Sequence, residues 1–157
     1  MNFSAWNADL ARDIVSQGAN AQGPLLPILH EIQRRFGFVP DGAVDLIADA
    51  LNLSRAEVYG VVSFYPDFRS RPPGTTVVRL CRAEACQAAG GREAASQTLA
   101  ALGVSWGGTT VDGAVTIEPV YCLGLCAVAP AALIDDAPLG RLTAPRLLAA
   151  LRANAPL

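Results

Sequence analysis

Over residues 1 to about 65, apolar positions recur every three or four residues, the spacing of amphipathic helices. Trp6, Leu10, Ile14 and Val15 mark a first helix over about 6–17. Leu25, Ile28, Leu29, Ile32 and Phe36 form a stronger stripe, with Pro24 and Pro27 placed for its first turn and Gly37 for its C-terminal stop. Asp41 is positioned to cap a third helix carrying Val44, Ile47, Ala48 and Leu51. Ser54-Arg55-Ala56-Glu57 predicts a capping box, in which hydroxyl and carboxylate each satisfy a free backbone N–H, opening a fourth helix through Val58, Val61 and Val62. Stripes of this kind bury against one another in a helical bundle.

Pro66, Pro72, Pro73 and Gly74 then end helical continuity. They divide the chain into a helical unit over 1–70 and a second unit over 75–157. The second unit alternates in character. Residues 76–80 are β-rich and run into Cys81; 87–102 predicts a helix whose first turn Gly90 and Gly91 weaken. Strands are expected over 115–118 and 131–135, with a turn near Asp136-Ala137-Pro138. Arg141-Leu142-Thr143 is placed to extend the sheet, and Thr143 to cap a last helix with Pro145 near its start and Leu147, Leu148 and Leu151 on one face. The fold class is therefore α+β: a helical bundle followed by a layered sheet-and-helix domain, with ligand loops at strand ends.

Composition narrows the function. Of 157 residues, 52% are hydrophobic and only 17% charged, so apolar surface is available for a permanent protein partner or an alanine-rich core. No uninterrupted apolar run approaches the ~18 residues of a membrane span, and MNFSAWNADLARD has neither the basic nor the apolar region of a secretory signal. A net charge of −2, with every basic residue an arginine, gives no electrostatic footprint for nucleic acid. A cytoplasmic location is expected.

All four cysteines lie in two short loops. Cys81 and Cys86 are spaced C-x4-C, Cys122 and Cys126 C-x3-C, and residues 87–121 separate the pairs. Two loops offering two thiolates each match a [2Fe-2S] cluster, where each iron takes two cysteine sulfurs. Structural zinc also takes four cysteines, though usually from C-x2-C knuckles, and two disulfides suit secreted domains; on spacing alone both stay open. Each pair follows an expected strand, which sets both at one end of a sheet. Gly124 frees the tight C-x3-C loop and lets backbone N–H groups approach sulfur; Leu123, Leu125 and Val128 suggest a dry surround. Arg82, beside the first ligand, reads as an exposed arginine more readily than as a charge that tunes a cluster. No GxGxxG, P-loop or HExxH motif is present. His30, the sole histidine, reads as a helix-surface or interface residue, and no catalytic residue is expected.

The stretches LLPILHEIQRRFGFVP, ALNLSRAEVYGVVSFYPDFR, LCRAEACQAAG, IEPVYCLGLCAVAPAALID and GRLT resemble the thioredoxin-like [2Fe-2S] ferredoxins, the family of the 24-kDa subunit of respiratory complex I and its soluble relatives. The resemblance covers most of the chain. It implies a helical domain ahead of a thioredoxin-like domain, one [2Fe-2S] cluster, and Cys81, Cys86, Cys122 and Cys126 as its ligands. Within the family, CRAEACQA and EPVYCLGLCA are most similar to the gamma subunit of NAD-dependent formate dehydrogenases. That branch implies an FMN- and NAD-binding beta subunit and a molybdenum- or tungsten-containing alpha subunit as partners, with the cluster exchanging single electrons with the flavin. The diaphorase module of bidirectional NAD-reducing hydrogenases and complex I itself are the alternatives. Tyr59 stands where the family commonly has histidine, a difference expected to bear on the interface. A reading from another class, an iron–sulfur regulator with AVDLIADALNLSRAEVYGVVSF as helix-turn-helix, meets an acidic chain whose candidate recognition helix offers only Arg55 to phosphate.

Overall fold

The computed structural model describes residues 3–153; the first two and last four residues of the two expected domain spans lie outside them. The chain separates into two compact units, with the boundary between Pro73 and Gly74.

The first unit is four helices: α1 (Ala8–Gly18), α2 (Leu25–Phe36), α3 (Asp41–Leu51) and α4 (Arg55–Phe64). Asn7 caps α1 by accepting from the Asp9 and Leu10 N–H groups, so Trp6 lies ahead of the helix rather than in it. Trp6 instead packs its ring edge-on against Phe36 at 5.1 Å. At α3, Pro40 takes the cap position and Asp41 is the first helical residue, making no side-chain cap bond. Its carboxylate still suits the positive end of the helix. The capping box of α4 is complete, with Ser54 and Glu57 bonded reciprocally.

Ile28, Leu29, Ile32 and Phe36 from α2 meet Val44 and Ile47 from α3 and Val58 from α4 in one fully buried core. The segment after α4 is tied back to this bundle. Gln33 donates to the Asp67 carbonyl at 2.6 Å and accepts from the Arg69 N–H at 2.7 Å, which holds Phe68 against the core.

In the second unit, β1 (Thr76–Cys81), β2 (Val115–Val120), β3 (Ala132–Ile134) and β4 (Ala137–Leu139) form a sheet in the order β2-β1-β3-β4. β1 runs parallel to β2 and antiparallel to β3. A parallel pair needs a long crossover, supplied by α5 (Glu84–Ala88) and α6 (Gly91–Leu102). The single helix expected over 87–102 is thus two. The chain breaks at Gly90, whose φ of 93° only glycine adopts without strain. Val78, Leu80, Ile117 and Ile134 project from the sheet onto Ala94 and Ala95 of α6 and Leu147 of α7 (Ala144–Ala153). Thr143 reaches the Arg146 N–H at the start of α7.

The hairpin between β3 and β4 differs from expectation. The turn is Asp135-Asp136, while Ala137 and Pro138 belong to β4 and residues 141–143 lie outside the sheet. β4 is an edge strand, where proline's missing N–H breaks no internal ladder. Asp135 closes the turn by accepting from the Val77 N–H and donating its own N–H to the Val77 carbonyl.

Removing the α4 cap tests how far the first unit depends on it. Ser54→Ala should lower stability by about 1 kcal/mol, read as an earlier urea midpoint in far-ultraviolet circular dichroism; an unchanged midpoint would show the box to be dispensable.

Candidate metal centre

The register of β1 and β2 builds the site. Cys81 pairs with Val120, and the Arg82 N–H donates to the Val120 carbonyl at 2.7 Å. The two strands therefore end side by side, and the loops carrying the two cysteine pairs leave from the same end of the sheet. The chain returns there before β3, where the Ala131 carbonyl accepts from the Cys81 N–H.

Cys81 is the last residue of β1 and Cys86 lies on α5; both are buried. Cys122 follows β2 in the connecting loop and Cys126 opens a single 3-10 turn over Cys126–Val128; both are exposed. All four thiols are free. Cys81, Cys86 and Ala131 form a buried cluster, flanked by Ala83, Val120, Leu123, Leu125 and Ala129. Leu123 and Leu125 thus supply the dry surround expected of them. Val128, whose side chain lies against Gly140, is not part of that cluster.

Burial, then a hydrogen bond with the Cys81 thiol, push the Cys86 thiol above its ordinary range. The Ala131 backbone opposes this with a hydrogen bond, and the charges of Cys81 and Cys126 add to it. Cys126, from the second loop, is therefore felt at Cys86, in the first. Ionising several of these thiols together needs positive charge among them.

Among the described residues, no three His, Cys, Asp or Glu side chains gather around one ion-sized point. A dinuclear cluster asks for something different: two thiols for each of two irons, from two loops that face a common space. The paired, apolar-lined arrangement fits that demand. A further feature fits a sulfur-rich, negatively charged group: the Gly124 N–H points at the Cys122 sulfur at 3.4 Å. Gly124 adopts φ 71°, so its freedom is needed for conformation; a Cβ there would meet nothing within 4 Å, and crowding of sulfur is not the reason for glycine.

Sequence reasoning missed the role of Gly91. A Cβ at this position would lie 2.5 Å from the Cys86 carbonyl oxygen, so only glycine lets α6 start this close to the α5 cysteine. The Gly-Gly pair was the available signal, and it marks a close approach as well as a helix break. Arg82 is exposed, with its guanidinium over the Trp106 ring. His30, in the helical unit, is exposed beside Phe68, ring centroids 5.0 Å apart.

A family model for the thioredoxin-like [2Fe-2S] ferredoxins matches residues 11–155. The chain belongs to this family. The cofactor of the family is a [2Fe-2S] cluster, and the second unit described above is its thioredoxin-like domain. Among its relatives is a subunit of the NADH-quinone oxidoreductase of Pseudomonas aeruginosa, 38% identical over 105 residues, 67% of this chain and 63% of the relative. The HndA subunit of the NADP-reducing hydrogenase of Solidesulfovibrio fructosivorans is 33% identical over 78% of this chain and 71% of its own length. An NADH-quinone oxidoreductase subunit of Mycobacterium bovis is 33% identical over 80% of this chain and 50% of its own. The chain thus spans from half to somewhat over two thirds of these relatives. A crystal structure of an NAD+-reducing [NiFe]-hydrogenase in the H2-reduced state superposes with a TM-score of 0.69 at 28% identity, over 84% of this chain and 22% of that one.

The two glycines near the cysteines should respond differently to a methyl group. Gly91→Ala, which meets backbone, is expected to cost about 3 kcal/mol by overpacking; Gly124→Ala, which meets open space, about 1 kcal/mol for its left-handed conformation. Denaturant titration of the two variants gives the order, and a costlier Gly124→Ala would contradict the geometry.

Proposed function

We propose that this chain is an electron-transfer subunit of an NAD-linked oxidoreductase complex, with Cys81, Cys86, Cys122 and Cys126 as the ligands of one [2Fe-2S] cluster. The observation that carries this reading is the convergence of two cysteine pairs at one sheet end in a member of this family. Such a cluster, when bound, supplies one-electron exchange at a potential set by charge, hydrogen bonds to sulfur and exposure. This chain's part is to hold four sulfurs, keep water from the Cys81–Cys86 side with Leu123, Leu125 and Ala131, and leave the Cys122–Cys126 side open. Hydride chemistry needs a flavin or nicotinamide site, which we assign to a partner subunit binding FMN and NAD.

The relatives' names favour a quinone- or hydrogen-linked complex over the formate dehydrogenase expected from CRAEACQA and EPVYCLGLCA, and we adopt the former. The molybdenum- or tungsten-containing formate dehydrogenase partner rests on those two motifs alone. We assign this subunit to the cytoplasm, where thiols stay reduced; among its described residues no helix is long and apolar enough to cross a membrane.

The regulator reading is disfavoured by α4. Arg55, its one cation, forms an ion pair with Asp45 and lies 3.6 Å from Asp41. A charge already matched by two carboxylates is a poor contact for phosphate. We assign the helical unit to docking instead, because Phe64, 76% exposed, meets the exposed Tyr65 ring at 5.1 Å and Tyr59 is 54% exposed on the same helix, and exposed apolar patches mark interaction sites.

Two measurements check this. The isolated chain mixed with NADH should show no cluster reduction by EPR, and full reduction once the flavin subunit is added; reduction by NADH alone would defeat the assignment. Tyr59→Ser combined with Phe64→Ser should weaken binding to the flavin subunit about tenfold, ~1.4 kcal/mol, measured by calorimetry. Unchanged affinity would remove the docking role from α4.

A further inference from the structure

Arg82 occupies a place in the fold that its exposure conceals. It directly follows Cys81, and its N–H joins β1 to β2 through Val120. Its guanidinium carbon stands 4.9 Å from the ring centroid of Trp106 and 6.0 Å from that of Tyr121. Both are within the range of a cation–π contact, which fixes a planar guanidinium better than an ammonium. Tyr121 directly precedes Cys122. One side chain therefore spans from the residue after the first cysteine to the residue before the third.

The other side of this clamp is rigid. Trp106 packs against the core of the second unit. Its neighbours are bonded to β2, the Gly107 N–H to the Ile117 carbonyl at 2.8 Å and the Ile117 N–H to the Gly108 carbonyl at 3.0 Å. Among the described residues no carboxylate forms an ion pair with Arg82. Glu84 and Arg92 line the same cavity of about 420 Å³, yet the Glu84 carboxylate forms no ion pair with Arg82, and Arg92 turns to Gln87 at 3.4 Å.

We infer that Arg82, stacked on Trp106 and Tyr121, is a positioning residue that locks the two cysteine loops together and holds a fixed positive charge beside the cluster. The inference rests on the ligand assignment made above. An oxidised [2Fe-2S] group on four thiolates carries a net −2, and reduction adds one more negative charge. A cation held at fixed distance favours the reduced form and raises the potential.

The test compares Arg82→Gln, Arg82→Lys and Trp106→Leu with the parent chain, first by iron and acid-labile sulfide, then by EPR-monitored redox titration. Arg82→Gln should bind the cluster but show at least a threefold lower ratio of reduced to oxidised cluster at a fixed potential, ~28 mV at 59 mV per decade. Arg82→Lys should recover most of that ratio, because the charge remains. Trp106→Leu should fall between them, because the charge is present but no longer held. A potential unchanged in Arg82→Gln overturns the inference and leaves the ligand assignment standing. If Arg82→Gln cannot hold its cluster, Trp106→Leu decides, and an unchanged potential there overturns it equally. A parent chain with no iron or sulfide refutes the ligand assignment, and the inference with it.

Discussion

The parallel pairing of β1 with β2 is the constraint on which this molecule depends. Parallel strands end together, and here they end at Cys81 and Val120. A one-residue slip would send Cys81 to the opposite face of the sheet and separate the cysteine pairs. Several independent features protect the register. Val78 and Ile117 are register partners buried in the same core, while Arg79 and Glu118 pair on the other face at 3.8 Å. The Arg82 and Cys81 N–H groups continue the ladder past the strand end, to Val120 and Ala131. Arg82 then uses its side chain on the neighbouring aromatic rings, so backbone and side chain of one residue act on the same junction.

The site built on that junction is asymmetric. Cys81 and Cys86 are buried with Ala131, while Cys122 and Cys126 face outward. Burial raises the cost of charge at Cys86, opposed in part by a hydrogen bond from the Ala131 backbone, while in the second loop the Gly124 N–H points at the Cys122 sulfur. A redox centre at these cysteines, as proposed, would use this division. The enclosed side would limit solvent and help set the potential, and the open side would give a partner access. The docking role proposed for α4 belongs to the other unit.

Much of this was legible in the chain. Helices with strong stripes and capping chemistry, such as the one opened by Ser54 and Glu57, were readable because local and global preferences agree there. The placement of two cysteine pairs at strand ends was readable for the same reason. What was not legible depended on tertiary partners. Pro138 reads as a turn residue, but an edge strand accepts it. Gly90 and Gly91 read as a weak first turn; the first breaks the helix and the second admits the Cys86 carbonyl. Gln33 has no local signal, since its bonds reach Asp67 and Arg69. Trp106 lies in an irregular stretch, and its pairing with Arg82 is set by the crossover between β1 and β2. The resemblance to formate dehydrogenase subunits rested on two short cysteine-loop motifs, whereas relatives aligned over two thirds or more of the chain are named as subunits of quinone- and hydrogen-linked enzymes.

The central claim is that four cysteines from two loops act as one dinuclear site. Its most direct test is a metal and sulfide analysis of the chain purified without oxygen. The account predicts about two iron and about two acid-labile sulfide per chain, both lost when any one of the four cysteines is replaced by alanine. Stoichiometric zinc without sulfide would contradict it.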